Sequence, residues 1–190
     1  MKTIYLAGGC FWGMEQLYRT LPGVTEVTAG YANGSDPARA NYPAVCTGTT
    51  GFREAIRVDY DPVRISLEHL LFAFFAVIDP ETPEQQGPDI GSQYQTGIYW
   101  TDPADEPVIH TLSDLEAAPL SYFAVETEPL KSFYPAEEFH QRYLEKNPAG
   151  YCHIGSWRIA ALSRYPFRRE AYARPADDLL REWWNQQECS

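Results

Sequence analysis

The chain contains no Cys-x-x-Cys pair, no His-Glu-x-x-His segment and no cluster of cysteines with histidines. A zinc ribbon and a thioredoxin-type dithiol are therefore not written in it, and a metal site is poorly supported. Basic residues are scarce. Against 26 Asp and Glu stand 15 Lys and Arg, a formal net charge of −11, which argues against nucleic acid and anionic membrane surfaces as partners. Acidity on its own selects no partner, because solubility explains it. Long apolar runs are missing too. The longest, Leu70 to Ile78, is too short to cross a bilayer and reads as a buried core helix after Ser66. Met1-Lys2-Thr3 runs straight into the first strand pattern, which leaves no room for a secretory signal and implies a cytoplasmic location. No internal repeat, low-complexity tract or linker splits the 190 residues, which suffice for one core.

Four scattered cysteines are present: Cys10, Cys46, Cys152 and Cys189. In a reducing compartment such thiols are free, transient or catalytic more often than permanently bridged. Cys10 has the most informative surroundings. Thr3 to Ala7 reads as a short strand ended by Gly8-Gly9, while Phe11, Met14, Leu17, Tyr18 and Leu21 recur at helical spacing until Pro22-Gly23. This places Cys10 at or just before a helix N-terminus, where unpaired N–H groups and the helix dipole favour a thiolate and lower its pKa. A buried cysteine acting as a small hydrophobe is the alternative. A phosphate loop also links strand to helix through glycines, but it needs Lys and Ser or Thr where Met14 and Glu15 stand.

Further strands are expected at 26–30, 55–60, 97–100 and 123–128. Helices are expected at 13–21, 67–77, 108–117, 136–146 and 177–185. Strands and helices interleave with unequal connections, which fits a mixed sheet with packed helices better than a regular doubly wound sheet. Two long loops, 31–51 and 79–96, are of a length that is usually functional or disordered. The region after Asn147-Pro148 has no clear periodicity until the last helix, in which Trp183 and Trp184 are expected to pack on the core.

A nucleophilic Cys10 needs activation, a pocket and a way to resolve its product. Phe11 and Trp12 supply an apolar wall suited to a small thioether-like group, or else they only fill the core. Cys152, between Gly150-Tyr151 and His153-Ile154-Gly155, has glycines on both sides that permit the movement a resolving thiol needs, or is an inert buried thiol. Glu54 or Asp89 could serve as an acid, though each alone reads as a solvated carboxylate. Two rival readings stand beside a redox role. One is a thiol hydrolase pairing Cys10 with His69, His110, His140 or His153, none of which carries a signature that sets it beside Cys10. The other is a binding module with an aromatic cage.

The segment Gly8-Gly9-Cys10-Phe11-Trp12-Gly13-Met14-Glu15 closely resembles the signature of the peptide methionine sulfoxide reductase A family. Further blocks follow in that family's order: Leu21 to Val24, Ala29 to Tyr31, Asn41 to Pro43, Val45 to Gly51, Glu54-Ala55, Gly87 to Tyr94 and Lys146 to Cys152. The matched region runs from about Thr3 to Gly155. The resemblance implies an α+β fold, a two-layer ferredoxin-like sandwich, in a single catalytic domain 1–190 whose C-terminal extension 156–190 ends in a helix. It implies thiol-dependent reduction of the S epimer of methionine sulfoxide. In that scheme Cys10 attacks the sulfoxide sulfur and Phe11 and Trp12 hold the terminal methyl. Glu54 protonates the oxygen, Tyr42 and Tyr94 donate hydrogen bonds to it, and Asp89 helps fix the substrate. Cys152 matches a recycling cysteine whose disulfide thioredoxin, or dithiothreitol, would reduce. No metal or organic cofactor is implied. The expected partners are oxidised proteins or peptides and thioredoxin, acting on a monomer.

The chain departs from that pattern in places. Phe52 and Ile90 stand where many members have histidine, and Ala160 where some have a second recycling cysteine; Cys189 lies beyond the matched region and is not expected to join the relay. Cys46 falls in a family block without a catalytic role and reads as a buried structural thiol.

Overall fold

A computed structural model of the chain describes residues 1–188. Its frame is β1 (Lys2–Ala7), α1 (Phe11–Arg19), β2 (Val24–Ala32), a short α2 (Tyr42–Val45), β3 (Arg53–Tyr60) and α3 (Leu67–Phe75). There follow a small hairpin of β4 (Gln85–Gln86) and β5 (Asp89–Ile90), then β6 (Gly97–Trp100) and α4 (Glu106–Ala117). Strands β7 (Glu126–Pro129) and β8 (Phe133–Pro135) precede α5 (Tyr143–Lys146), α6 (Ser156–Leu162) and α7 (Ala176–Glu188). Six strands form one sheet in the order β7-β6-β1-β3-β2-β8, antiparallel except for the β6–β7 pair. Its central four, β6-β1-β3-β2, with α1 and α3 as crossovers, are a split βαβ arrangement of ferredoxin-like type.

Period-two alternation decides what each face of the sheet carries. Ile4 and Leu6 of β1, Val27, Ala29 and Tyr31 of β2, Ile56, Val58 and Tyr60 of β3, and Ile98 and Trp100 of β6 point into the main core. There they meet Phe11, Met14, Leu17 and Tyr18 of α1 and the apolar α3. The opposite face carries a smaller cluster of Ala7, Ala32, Ala55 and Tyr99, with Tyr5, Leu130 and Phe133 against it. Glu54 shares the parity of Ile56 and Val58, so this carboxylate lies on the helix face, beneath the start of α1.

The C-terminal part packs on the back of α3. Phe72 stacks on Tyr165 at 4.6 Å and meets Tyr172 edge-on, and Leu180 and Ala176 are fully buried. Trp183 and Trp184 are half-buried against this core, Trp183 edge-on to Tyr165. Cys189 lies outside the described residues.

Several expected elements differ. The segment 136–146 is not one helix. Gln141 bonds the main chain of Ala29 through both ends of its amide, Arg142 N–H donates to Glu15, and Arg142 takes a left-handed φ of 53°. These tertiary bonds pull the backbone out of the helix that the apolar spacing suggests. The strand expected at 123–128 starts only at Glu126, because Ala124 is held by Pro80 and by the Gln95 amide. The edge strand β8 and helix α6 have no clear counterpart in the sequence pattern. Among the described residues no helix is long and apolar enough to cross a membrane, and no group of three or more His, Cys, Asp or Glu could hold a metal ion.

Candidate active site

Cys10 is the residue at which β1 turns into α1. Gly9, at φ 84°, makes the turn, Cys10 takes the N-cap position, and the helix begins at Phe11. The sulfur accepts from the Trp12 and Gly13 N–H groups, two of the donors a helix start leaves unpaired. Even so, the thiol pKa is raised, not lowered. Burial is the larger cause and the Glu54 charge the next, and together they outweigh the two N–H groups. The helix-dipole expectation from sequence is overturned here, because it assumed a site open to water.

Glu54 is 2% exposed, and its Oε2 accepts the Phe11 N–H at 3.1 Å. Burial lifts its pKa to about 8, against the pull of that hydrogen bond, with the Asp89 charge adding to the rise. At neutral pH the site therefore holds a neutral thiol and a neutral acid. Once Glu54 is protonated, its charge no longer opposes ionisation of Cys10, so the two groups share one proton economy.

The two long loops deliver the other polar groups. In the first, Asn41 caps α2 by accepting the Ala44 N–H and Tyr42 opens that helix, its main-chain N–H bonded to Glu137. In the second, the β4–β5 hairpin carries Asp89, and a following turn carries Tyr94. Tyr42 and Tyr94 both have phenol pKa values raised first by burial, with Glu54 and Cys10 adding to the rise. Both phenols thus stay protonated donors within electrostatic reach of the thiol and the carboxyl. Asp89 accepts the Tyr151 hydroxyl at 3.0 Å. Cys46 is exposed and paired with the Tyr42 side chain, so the expectation of a buried structural thiol is corrected.

Phe11 and Trp12 form one side of an aromatic wall that extends further than the sequence suggested. Trp12 stacks flat on Tyr143 at 3.8 Å, and its indole N–H donates to His140 Nδ1 at 3.1 Å. His140, 1% exposed, also packs against Phe11 and Tyr42. Glu137 accepts from both Tyr31 and the Tyr42 main chain. Sequence reasoning offers His140 only as a partner for Cys10 and does not single out Glu137 and Tyr143, because nothing in the local pattern shows the turn that brings the three to Trp12 and Tyr42.

Cys152 is half-buried and its thiol donates to the Ile154 carbonyl at 3.3 Å. It lies over the first turn of α1: a Cβ on Gly13 would come within 3.1 Å of its sulfur. The adjacent His153 anchors the segment, with Nε2 2.9 Å from the Gly8 carbonyl. Cys10, Cys46 and Cys152 are all free thiols. Among the described residues no histidine forms a hydrogen bond with Cys10. His69 stacks on Phe167, His110 pairs with Glu106, His140 Nδ1 accepts from Trp12, and His153 Nε2 is held by the Gly8 carbonyl. The Cys–His hydrolase reading therefore lacks the hydrogen-bonded Cys10–histidine pair it requires.

A ferredoxin-like α+β scaffold that seats a buried cysteine at a helix start, beside a proton-bearing glutamic acid, defines a cysteine-dependent oxidoreductase. The sequence profile described as peptide methionine sulfoxide reductase matches residues 2–169. A relative named peptide methionine sulfoxide reductase MsrA, from Clostridium perfringens, is 46% identical over 155 residues, covering 81% of this chain and 98% of the relative. The solved structure of Mxr1 from Saccharomyces cerevisiae in reduced form superimposes with a TM-score of 0.76 at 39% identity, covering 81% of this chain and 91% of that one. The structure of Mxr1 in complex with Trx2 matches with a TM-score of 0.53 at 30% identity, over 75% of this chain and 84% of that one. The chain belongs to the peptide methionine sulfoxide reductase family.

Proposed function

We propose that this protein reduces the S epimer of methionine sulfoxide, in peptides and proteins, to methionine. One observation carries the reading: a buried glutamic acid that keeps its proton at neutral pH, bonded to the first N–H of the helix that Cys10 caps. A sulfoxide oxygen is a good acceptor and a poor leaving group, so it must gain a proton as its bond to sulfur breaks. Glu54 supplies that proton. Tyr42 and Tyr94 donate to the same oxygen without adding charge to a buried site. Phe11 and Trp12, the latter braced by Tyr143 and His140, receive the terminal methyl. Asp89, tied to Tyr151, helps fix the bound substrate.

Cys10 sulfur attacks the sulfoxide sulfur, the oxygen moves onto Cys10, and methionine leaves with its electron pair restored. Glu54 gives one proton to the oxygen and regains one from the Cys10 thiol, so the products are methionine and a Cys10 sulfenic acid. The Cys152 thiol then attacks Cys10, forming a disulfide and releasing water. A thioredoxin-type dithiol returns both cysteines to thiols, a reading supported by the solved Mxr1–Trx2 complex. No resident metal or organic group takes part in these steps. The chain would act in the cytoplasm as a monomer, and all of residues 1–190 would form one catalytic unit. The segment after Gly155 is supported as part of it by the burial of Ala161, Leu162 and Leu180 in the shared core.

The test is turnover of a peptide bearing S-methionine sulfoxide with dithiothreitol, comparing the native chain with Cys10→Ser. Methionine formed by the native protein and none by the variant is the expected result. Failure of both would end the reductase reading.

A further inference from the structure

His153 holds a buried nitrogen that nothing in the catalytic scheme uses. Its Nε2 lies 2.9 Å from the Gly8 carbonyl. A carbonyl only accepts, so Nε2 carries the hydrogen and Nδ1 keeps a bare lone pair. That Nδ1 is sealed from solvent and has no hydrogen-bond partner. An unmet buried acceptor of this kind is destabilising, and ordinary packing gives no reason to retain it.

Its position gives it a use. The bare Cα of Gly13 lets the Cys152–His153 segment pack closely on the first turn of α1, with Cys152 Sγ, His153 Nδ1 and His153 Cε1 nearest to it. A Cβ at Gly13 would lie 3.1 Å from Cys152 Sγ and 3.1 Å from His153 Nδ1. The thiol and the imidazole nitrogen with its free lone pair thus pack on the same glycine, on the helix turn that Cys10 begins. At rest the Cys152 thiol donates to the Ile154 carbonyl, which cannot carry a proton away. Burial keeps the thiol in its protonated form and keeps the imidazole neutral, hence free to accept.

We propose that His153 Nδ1 is the proton acceptor for Cys152 when that thiol resolves the Cys10 sulfenic acid, a step that rests on the reductase reading above. The Cys152 S–H proton passes to Nδ1 as the sulfur attacks Cys10 Sγ. The S–S bond forms, the S–O bond of the sulfenic acid breaks, and the departing hydroxide takes the proton from the imidazolium as water. Cys10 sulfur is reduced and Cys152 sulfur oxidised, with no further reactant needed, and the histidine returns to its neutral form.

Single-turnover experiments on the full chain separate the two stages. The native protein is mixed with one equivalent of S-methionine sulfoxide peptide without reductant. Methionine is counted, and the sulfenic acid is trapped with dimedone at successive times. His153→Gln keeps a donor for the Gly8 carbonyl but has no basic nitrogen. It is expected to release methionine at the native rate and then form the disulfide about 10²-fold more slowly, with dimedone adduct accumulating. His153→Ala should be slowed likewise and recover in added imidazole, which a purely structural role would not allow. Disulfide formation at the native rate in His153→Gln overturns the proposal, as does slow resolution that imidazole leaves unchanged in His153→Ala. Absence of the methionine burst in the native protein would instead remove the reductase reading beneath it.

Discussion

At Glu54 a single strand position sets the pKa on which the proposed reaction rests. Its parity in β3 turns the carboxyl toward α1 rather than the solvent face, and burial there lifts its pKa to about 8. In the proposed reaction the acid form is the one that donates, so activity should be present below that pKa and lost above it. The native rate with saturating reductant is expected to fall about tenfold per pH unit above pH 8. Glu54→Gln still accepts the Phe11 N–H but has no proton to give. Its kcat should drop by about 10²- to 10⁴-fold and lose the alkaline limb. A variant that kept native kcat in a pH-rate profile would remove Glu54 as the acid. Cys10 teaches the complementary lesson: two N–H groups at a helix start do not make a thiolate when the sulfur is 6% exposed and burial opposes its charge. In the proposed reaction the Cys10 sulfur is released from that restraint only as its proton moves toward the sulfoxide oxygen.

The first turn of α1 shows what an element contributes. Gly13 is helical, so alanine suits its backbone and would by propensity stabilise the helix by about 1 kcal/mol. Yet its Cβ would press on Cys152 Sγ and His153 Nδ1 at 3.1 Å. Since those atoms belong to an irregular segment, the segment gives way rather than the helix. Gly13→Ala should release one equivalent of methionine at nearly the native rate and then resolve the sulfenic acid severalfold more slowly. Equal slowing of both stages would place the damage at Cys10 instead. How much could be read from the sequence also divides by element. The β1-turn-α1 unit was legible because glycines, alternation and helical spacing agree locally, and β2, β3, β6, α3 and α4 followed for the same reason. Segment 136–146 was not. Its apolar spacing is helical, and only the distant Ala29 and Glu15 decide otherwise. With that turn went Glu137, His140 and Tyr143, which brace the wall. His153 was visible as a residue but not as a partner of Gly8, since 145 positions separate them.

For the whole molecule, the buried carboxyls give stability an unusual dependence on pH. Glu116 of α4 is 4% exposed. Its Oε1 accepts the Tyr172 hydroxyl at 2.6 Å and the Ala176 N–H at 2.8 Å, tying the start of α7 to the body. Burial carries its pKa to about 7 even against those bonds, and Glu54 stands at about 8. Both folded values lie above the ordinary 4.5 of the unfolded chain. The unfolded state therefore releases these protons first, and the folded state gains from them fully only below pH 4.5. That stability is lost as pH rises toward 7 and 8. Carboxylates such as Glu126, held below their ordinary value by Arg53 and Tyr99, act in the opposite sense at lower pH. The melting temperature should accordingly be highest near pH 5 and decline toward pH 8, by about 2–4 °C for each kcal/mol lost. Glu116→Gln can keep an oxygen for Tyr172 and Ala176 and has no charge to bury. Its melting temperature should fall less than that of the native chain between pH 5 and 8, with the curves converging on the acid side. If the variant instead melts lower at every pH by the same amount, the cost lies in packing around α7 and not in the buried charge. The two outcomes are separated by thermal melts at pH 5 and pH 8 alone.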